Sequence, residues 1–412
     1  MTEIFELRVD SIGSGGDGVG RRNGMVVFVP RTAPGDFARV SAERHDRLMR
    51  GSVIELLEPS TLRVEPPCRH YVEDRCGGCQ LQHLLYEGQL DAKAGIIRDT
   101  MTRIGRATVD KPVVEASDAQ WRYRRKLTLA LRERNGKWIA GLHRFDSSDV
   151  FELRDCLITN EAVLEAWTLV MSQQRLLPRA RELRGSVRLL TLGFAFTLEG
   201  AHEWPTRGEF FGAIPGMVEL WWKPTDKSRR LLDSRLAETA AAGASFVQVN
   251  PGVAATLRQW VVSRAHGFAP TTVVDAYAGT GDIAVALAEQ GARVVAIEID
   301  RDAARVAASR LPAGSRAVPA PVEDALGEAL PADVVILNPP RAGVGERVTE
   351  ILKAQRPKPK ALVYVSCNPA TLARDVNRLE GFRVQSLRAF DMFPQTAHVE
   401  IVCELVPSEA AS

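Results

Sequence analysis

No uninterrupted apolar run in this 412-residue chain approaches the ~20 residues a membrane-spanning helix needs. Excess charge of one sign is also missing. The chain carries 53 Lys and Arg against 51 Asp and Glu, a net charge of +2. Any contact with nucleic acid must therefore come from local patches rather than a global field. The amino terminus, "MTEIFELRVD", has no charged-then-apolar signal pattern, so a cytoplasmic location is expected. Cysteine is scarce, at six residues. In a reducing compartment these read as metal ligands or nucleophiles rather than disulfides. There is no internal repeat and no low-complexity tract beyond the polar tail "PSEAAS", and nothing implies a membrane or protein partner.

The chain is long enough for two or three domains. Residues 1–60 read as a small all-β unit. The strand-length segments "IFELRVDSIG", "GMVVFVP" and "DFARVSAERHDRLMRGSVIELL" are divided by the turns "GSGGDGVG" and "RTAPGD". Strands this short suit an OB-like β-barrel. Residues 61–240 mix patterns, an α+β unit. "QLDAKAGIIRDTMTRIG" and "TNEAVLEAWTLVMSQQRLL" have helical periodicity, whereas "SVRLLTLGFAFTLEG" reads as strand. Residues 241–407 alternate short apolar strands ("TTVVDAYAG", "ARVVAIEID", "ADVVILNPP", "ALVYVSCNP") with helical stretches. That order predicts a Rossmann-like α/β domain, a mainly parallel sheet with ligands at the carboxyl ends of its strands.

"VVDAYAGTGD" places Gly279 and Gly281 between a strand and a helix, where backbone approaches a ligand and the helix amino end offers free N–H groups. With Ala284 the loop also fits a dinucleotide fingerprint. Asp275 precedes the glycines, and Glu298 ends the next strand, placed to accept from two ribose hydroxyls. "LNPPRAG" discriminates further. A polar side chain followed by two prolines walls a third strand end, as in methyltransferases acting on planar bases rather than in dehydrogenases. In "YVSCNP" (364–369), Cys367 lies between a buried strand and a helix whose amino end favours a thiolate, the ionised form that acts as nucleophile. Pro369 suits the first helical position. "WRYRRKLTLALR" (121–132) alternates, which puts Arg122, Arg124 and Lys126 on one face as a candidate phosphate track for RNA. "RHDRLMR" (44–50) is a second candidate. Cys68, Cys76 and Cys79 cluster around a tight "CGGC" turn.

"CGGCQLQH" (76–83), "SFVQVNP" (245–251), "YVSCNPATLARD" (364–375) and "DMFPQTAHVEIVCEL" (391–405) together resemble the RNA (uracil-5-)-methyltransferase family, and within it the iron–sulfur 23S rRNA branch. The amino-terminal unit resembles its TRAM domain. The resemblance spans nearly the whole chain and implies a class I methyltransferase domain that uses S-adenosylmethionine. It assigns Cys367 as the nucleophile that adds to C6 of uracil and Glu400 as the base that later removes the C5 proton. It places Gln248, Tyr277, Asp282, Glu298 and Asp324 at the cofactor, beside Gly279, Gly281 and Asn338. Asn338 departs from the family, which usually has "DPPR" where this chain has "NPPR". The resemblance also supplies Cys156 as a fourth ligand to Cys68, Cys76 and Cys79. Four thiolates suit a [4Fe–4S] cluster or a tetrahedral zinc, and the resemblance favours the cluster. The implied substrate is RNA, 23S rRNA ahead of tRNA. The rivals are an RNA cytosine-5 methyltransferase and a non-catalytic iron–sulfur protein that binds RNA or assists ribosome assembly.

Overall fold

The computed structural model describes residues 2–236 and 248–408. The expected junction at residues 240 and 241, the first three residues of "SFVQVNP" and the end of the polar tail lie outside the described residues.

Five strands, β1 (Thr2–Ile12), β2 (Gly18–Arg22), β3 (Met25–Val29), β4 (Phe37–His45) and β5 (Leu48–Glu58), close into a barrel in the order β1-β2-β3-β5-β4. Alternation drives it. Phe5, Leu7 and Val9 of β1 are buried, and the first two meet Val27, Val29, Val40 and Met49 in one small core. Closure leaves no strand edge unpaired, which suits a unit this small. The OB-like expectation holds.

After the short helix α1 (Arg69–Val72) comes α2 (Tyr86–Arg103), and then strand β6 (Val113–Glu115). A seven-stranded sheet follows. Its strands are β7 (Lys126–Arg134), β8 (Lys137–His143), β9 (Val150–Glu152), β10 (Glu182–Leu190), β11 (Gly193–Glu199), β12 (Met217–Lys223) and β13 (Arg230–Ser234), in the order β13-β12-β11-β10-β7-β8-β9. Helices α3 (Glu161–Ser172) and α4 (Arg207–Ala213) belong to the same unit. Trp167 of α3 and Phe210 of α4 pack on Phe196 of β11.

The remaining elements are α5 (Pro251–His266), β14 (Thr272–Ala276), α6 (Asp282–Glu289), β15 (Arg293–Ile297), α7 (Arg301–Arg310), β16 (Arg316–Val318), α8 (Val322–Ala329), β17 (Val334–Leu337), α9 (Glu346–Ala354), β18 (Ala361–Ser366), α10 (Pro369–Arg378), β19 (Phe382–Phe390) and β20 (Glu400–Pro407). They build an eight-stranded sheet, β16-β15-β14-β17-β18-β20-β19-β6. The first five of these strands are parallel, as the alternation predicts. Strand β20 then runs antiparallel between β18 and β19. The order reverses between β14 and β17, which opens a crevice at their carboxyl ends.

One difference from the sequence reading concerns residues 86–115. Ile97 and Met101 of α2 belong to the same core as Leu362 and Tyr364 of β18, and β6 pairs in parallel with β19. Periodicity shows that a helix has an apolar face but not which core that face joins.

Inside this contact Lys93 of α2 and Asp391 form an ion pair, both side chains fully buried. Burial lowers the Lys93 ammonium from its ordinary range, and Asp391 opposes that shift. Breaking a buried pair from one side strands a charge. Lys93→Met is therefore expected to lower unfolding free energy by about 3 kcal/mol or more. The double variant Lys93→Met, Asp391→Leu should recover much of the loss in denaturant melts.

Candidate active site

Cys367 follows the last residue of β18, and Glu400 is the first residue of β20. The strands pair antiparallel with Ser366 opposite Ile401. Continuing that register by one residue brings Cys367 and Glu400 face to face at the mouth of the crevice. All six residues of β18 are buried, in keeping with a central strand. Beyond it the Asn368 side chain accepts the Ala370 N–H at 3.0 Å, and Pro369 starts α10. Strand, cysteine and helix thus follow in the order the sequence predicts, and the Asn368 cap is added by the structure.

The electrostatics differ from the expectation of a helix-stabilised thiolate. Burial raises the half-buried Cys367 thiol above its ordinary value and the neighbouring Glu400 raises it further, whereas Arg341 lowers it through its charge and a hydrogen bond. Glu400 is 5% exposed, and burial pushes its carboxyl up to about 7 against the pull of Arg341. Desolvation is thus the largest influence on the sulfur. Arg341 acts on both groups, and sequence reasoning passed over it although it lies within "LNPPRAG".

Helix α10 holds the Arg341 loop. The Arg341 carbonyl accepts from Asn368 Nδ2 and Thr371 Oγ1, both at 3.3 Å. Arg374 donates to the Ala342 carbonyl at 2.8 Å. Asp375 accepts the Val344 N–H at 3.0 Å and the Tyr364 hydroxyl at 2.7 Å. Gly343 is required here. Its φ is 78°, and a Cβ would stand 2.3 Å from the Asp375 carboxylate.

Several of the expected cofactor residues gather at the β14–β17 crevice. Asn338 follows β17, and its N–H donates to the Ala276 carbonyl at 3.2 Å, next to Tyr277. Glu298 accepts the Gly279 N–H through Oε2 and the Asp300 N–H through Oε1, both at 2.8 Å. Gly279 has φ 57° and open space where a Cβ would project. The Gln248 Oε1 is buried with no hydrogen-bond partner among the described residues. Asp275 is 1% exposed, and burial pushes its carboxyl up to about 7.

Two expected residues are otherwise engaged. Asp282 bonds Arg258 at 3.0 Å and Arg310 at 2.6 Å, close beside Gly281. Asp324 is exposed and paired with Arg347 at 3.2 Å. Its neighbour Glu323, which the sequence reading missed, accepts instead from the Tyr277 hydroxyl at 3.4 Å. His398 is exposed, with its ring edge-on to Phe393, and Cys403 is fully buried in the core.

Cys68, Cys76, Cys79 and Cys156 line one cavity of about 70 Å³, walled by Leu127, Leu142, Leu153 and Ile158. Burial pushes the Cys76 thiol up to about 11 and drives Cys79 higher still. Among the described residues no set of three or more His, Cys, Asp or Glu side chains is placed to hold a single metal ion.

The expected phosphate track is only partly formed. Regular strand begins at Lys126, and Leu127, Leu129 and Leu131 do turn inward. Arg122 has φ 55°, and its guanidinium binds Asp155 at 2.8 Å and the Cys156 carbonyl at 3.0 Å. It braces the cysteine cavity. Arg124 bonds the Lys126 carbonyl at 2.9 Å, and Lys126 is exposed opposite Arg188.

The family description tRNA (Uracil-5-)-methyltransferase matches residues 326–406, and TRAM domain matches residues 2–46. An uncharacterized RNA methyltransferase of Listeria innocua is 30% identical over 98% of this chain and 97% of its own length. One from Thermosynechococcus vestitus is 33% identical over 98% of each. Among solved structures, the tRNA (uracil-54, C5)-methyltransferase of Pyrococcus abyssi, in complex with S-adenosyl-L-homocysteine, superposes with a TM-score of 0.68 at 23% identity. That superposition covers 97% of this chain and 99% of that one, and it shows the shared fold.

The opposed influences on Cys367 can be read from its alkylation by iodoacetamide at pH 8, followed by mass spectrometry. Glu400→Gln removes a like charge, so thiolate is easier to form and alkylation should speed up about three- to tenfold. Arg341→Gln should slow it by a similar factor. Equal rates in all three proteins would show that the groups do not act on the sulfur.

Proposed function

Because the chain belongs to the RNA (uracil-5-)-methyltransferase family, we propose that it methylates C5 of a uridine in 23S rRNA through a covalent bond between Cys367 and C6 of the base. One observation carries the reading. The strand register sets a cysteine against a desolvated carboxylate, with Arg341 acting on both.

Uracil C5 is too weakly nucleophilic to be alkylated directly. Bonding of the Cys367 thiolate to C6 pushes the C5–C6 π electrons toward the C4 carbonyl as an enolate, and C5 gains carbanion character. Arg341 is the cation beside the sulfur that favours its ionised form. S-adenosylmethionine, when bound, supplies an electrophilic methyl group to C5 and departs as the neutral thioether. Glu400 then accepts the C5 proton. The released electron pair rebuilds C5–C6 and expels the Cys367 thiolate. A carboxyl near 7 is matched to that task at neutral pH.

The crevice residues support S-adenosylmethionine as the methyl donor. The Gln248 oxygen, without a partner among the described residues, is an acceptor for an ammonium, and the open face of Gly279 admits a ligand. Glu298 spends one acceptor site of each oxygen on backbone N–H groups and keeps capacity for ribose hydroxyls. The Asn338 carboxamide can accept or donate toward a pyrimidine edge, so it does not by itself separate uracil from cytosine.

The resemblance, rather than the cysteines' spacing, favours a [4Fe–4S] cluster over zinc at this site. Their thiols share one cavity with an apolar wall, although they are not gathered about a single ion. Cys68, Cys76, Cys79 and Cys156 would hold the cluster in a structural role. The cluster and the TRAM barrel are the grounds for 23S rRNA over tRNA.

RNA carrying 5-fluorouridine should form a denaturation-resistant adduct with the wild type and none with Cys367→Ala. Glu400→Gln should form the adduct but turn over normal RNA about 100-fold more slowly or worse. Labelled methyl should enter unmodified 23S rRNA and appear as 5-methyluridine on nucleoside digestion. Transfer to a tRNA transcript alone would replace the substrate, and 5-methylcytidine would replace the base. Purified without air, the protein should contain about four iron and four acid-labile sulfide per chain.

A further inference from the structure

We propose that Gln395 is a positioning residue for the general base, held by a clamp made of Gln89 and of the backbone that follows Cys79. The inference rests on the reading of Glu400 given above and goes beyond it.

Gln395 is a non-glycine residue with φ 71°, and it is 3% exposed. A long side chain in the left-handed region persists only where its surroundings hold it there. Here they do. The Gln395 carbonyl accepts two backbone N–H groups, from Gln80 at 3.1 Å and Leu81 at 3.0 Å. Its N–H donates to Gln89 Oε1 at 2.9 Å, and its own Oε1 accepts from Gln89 Nε2 at 2.9 Å. The two side chains therefore lock as a reciprocal pair 306 residues apart in sequence.

The adjoining residues are fastened from the same side. The Pro394 carbonyl accepts the Tyr123 hydroxyl at 3.1 Å, and the Phe393 carbonyl accepts from Lys93 Nζ at 3.1 Å. Gln80 Oε1 reaches the Ala397 N–H at 3.4 Å. The side chains that act on the Cys367 thiol are Glu400 and Arg341, not these. The clamp groups act on the chain leading into Glu400, five residues beyond Gln395, whereas Cys367 is placed by β18 and α10. Loosening the clamp should therefore displace the base and spare the nucleophile. Gln80 also follows Cys79 directly, and Tyr123 packs against Cys79. The clamp thus ties the shape of the cysteine turn to the placement of the base.

The test uses the full-length protein with its metal content intact. Gln89→Leu keeps the volume and deletes both bonds to Gln395. Adduct formation on 5-fluorouridine RNA, which needs no base, should stay within twofold of wild type. Product release from normal RNA should slow at least tenfold, and its pH profile should shift because the surroundings of Glu400 change. Gln395→Gly, which keeps the turn but frees the backbone and deletes the side-chain bond, should show the same split if Gln89→Leu does not fold. Equal slowing of both steps, or no slowing of release, would overturn the clamp. Failure of the wild type to form an adduct would instead sink the covalent mechanism.

Discussion

A strand pairing displaced by one residue turns every side chain to the opposite face of a sheet. In this chain the pairing that matters is β18 with β20, where Ser366 faces Ile401 and brings the sulfur of Cys367 to the carboxyl of Glu400. The register is pinned from within. Glu404, opposite Val363, is 1% exposed and receives two hydrogen bonds from Arg264 of α5, at 2.6 and 3.0 Å. A slip would pull that carboxylate from its guanidinium and leave a buried charge unpaired, a cost of several kcal/mol. The antiparallel β20 is also what distinguishes this sheet from an all-parallel one. It returns the chain so that the start of one strand meets the end of another.

Burial then imposes a shared electrostatic problem on the two groups. Desolvation disfavours the charged form of each, and the Glu400 carboxylate further disfavours the Cys367 thiolate. Arg341 favours the charged form of either group. The proposed chemistry asks for no more than that. The charge is needed on sulfur for attack, and on Glu400 only after the sulfur has become a neutral thioether. One proton leaves to solvent per methyl transferred, and the resting state is restored.

Much of this was legible in the sequence, because it is carried by local patterns. Strand–helix alternation after residue 241 predicted the parallel strands, and Pro369 predicted the start of α10. Short strand-length segments divided by glycine-rich turns predicted the barrel. What was not legible depends on partners distant in the chain. Asp282, read beside Gly281 as a cofactor ligand, also pairs with Arg258 and Arg310, which lie far from it in the chain. Arg122 fits a cationic row by count, yet strand geometry begins only at Lys126, and Asp155 takes its charge. Glu323 and Asp324 cannot be told apart without knowing which face of α8 meets Tyr277. The role of Arg341 emerges only from a three-way proximity.

The loop 391–399 shows why so long a chain serves one reaction centre. Gly16 of the barrel approaches it so closely that a Cβ there would stand 2.5 Å from Gln80 and 3.3 Å from Ala397. The cysteine turn bonds it through Gln80 and Leu81, α2 through Gln89 and Lys93, and Tyr123 through its hydroxyl. All of these contacts are long-range, and such contacts are costly to close during folding. They add to local bonds within the loop, among them the Thr396 N–H to the Phe393 carbonyl at 3.2 Å. The barrel, the cysteine turn and α2 thereby all border the loop that leads into Glu400. A carboxyl that must stay desolvated to keep its proton affinity gains from that arrangement, because the same contacts that fix the loop also exclude water from its buried side.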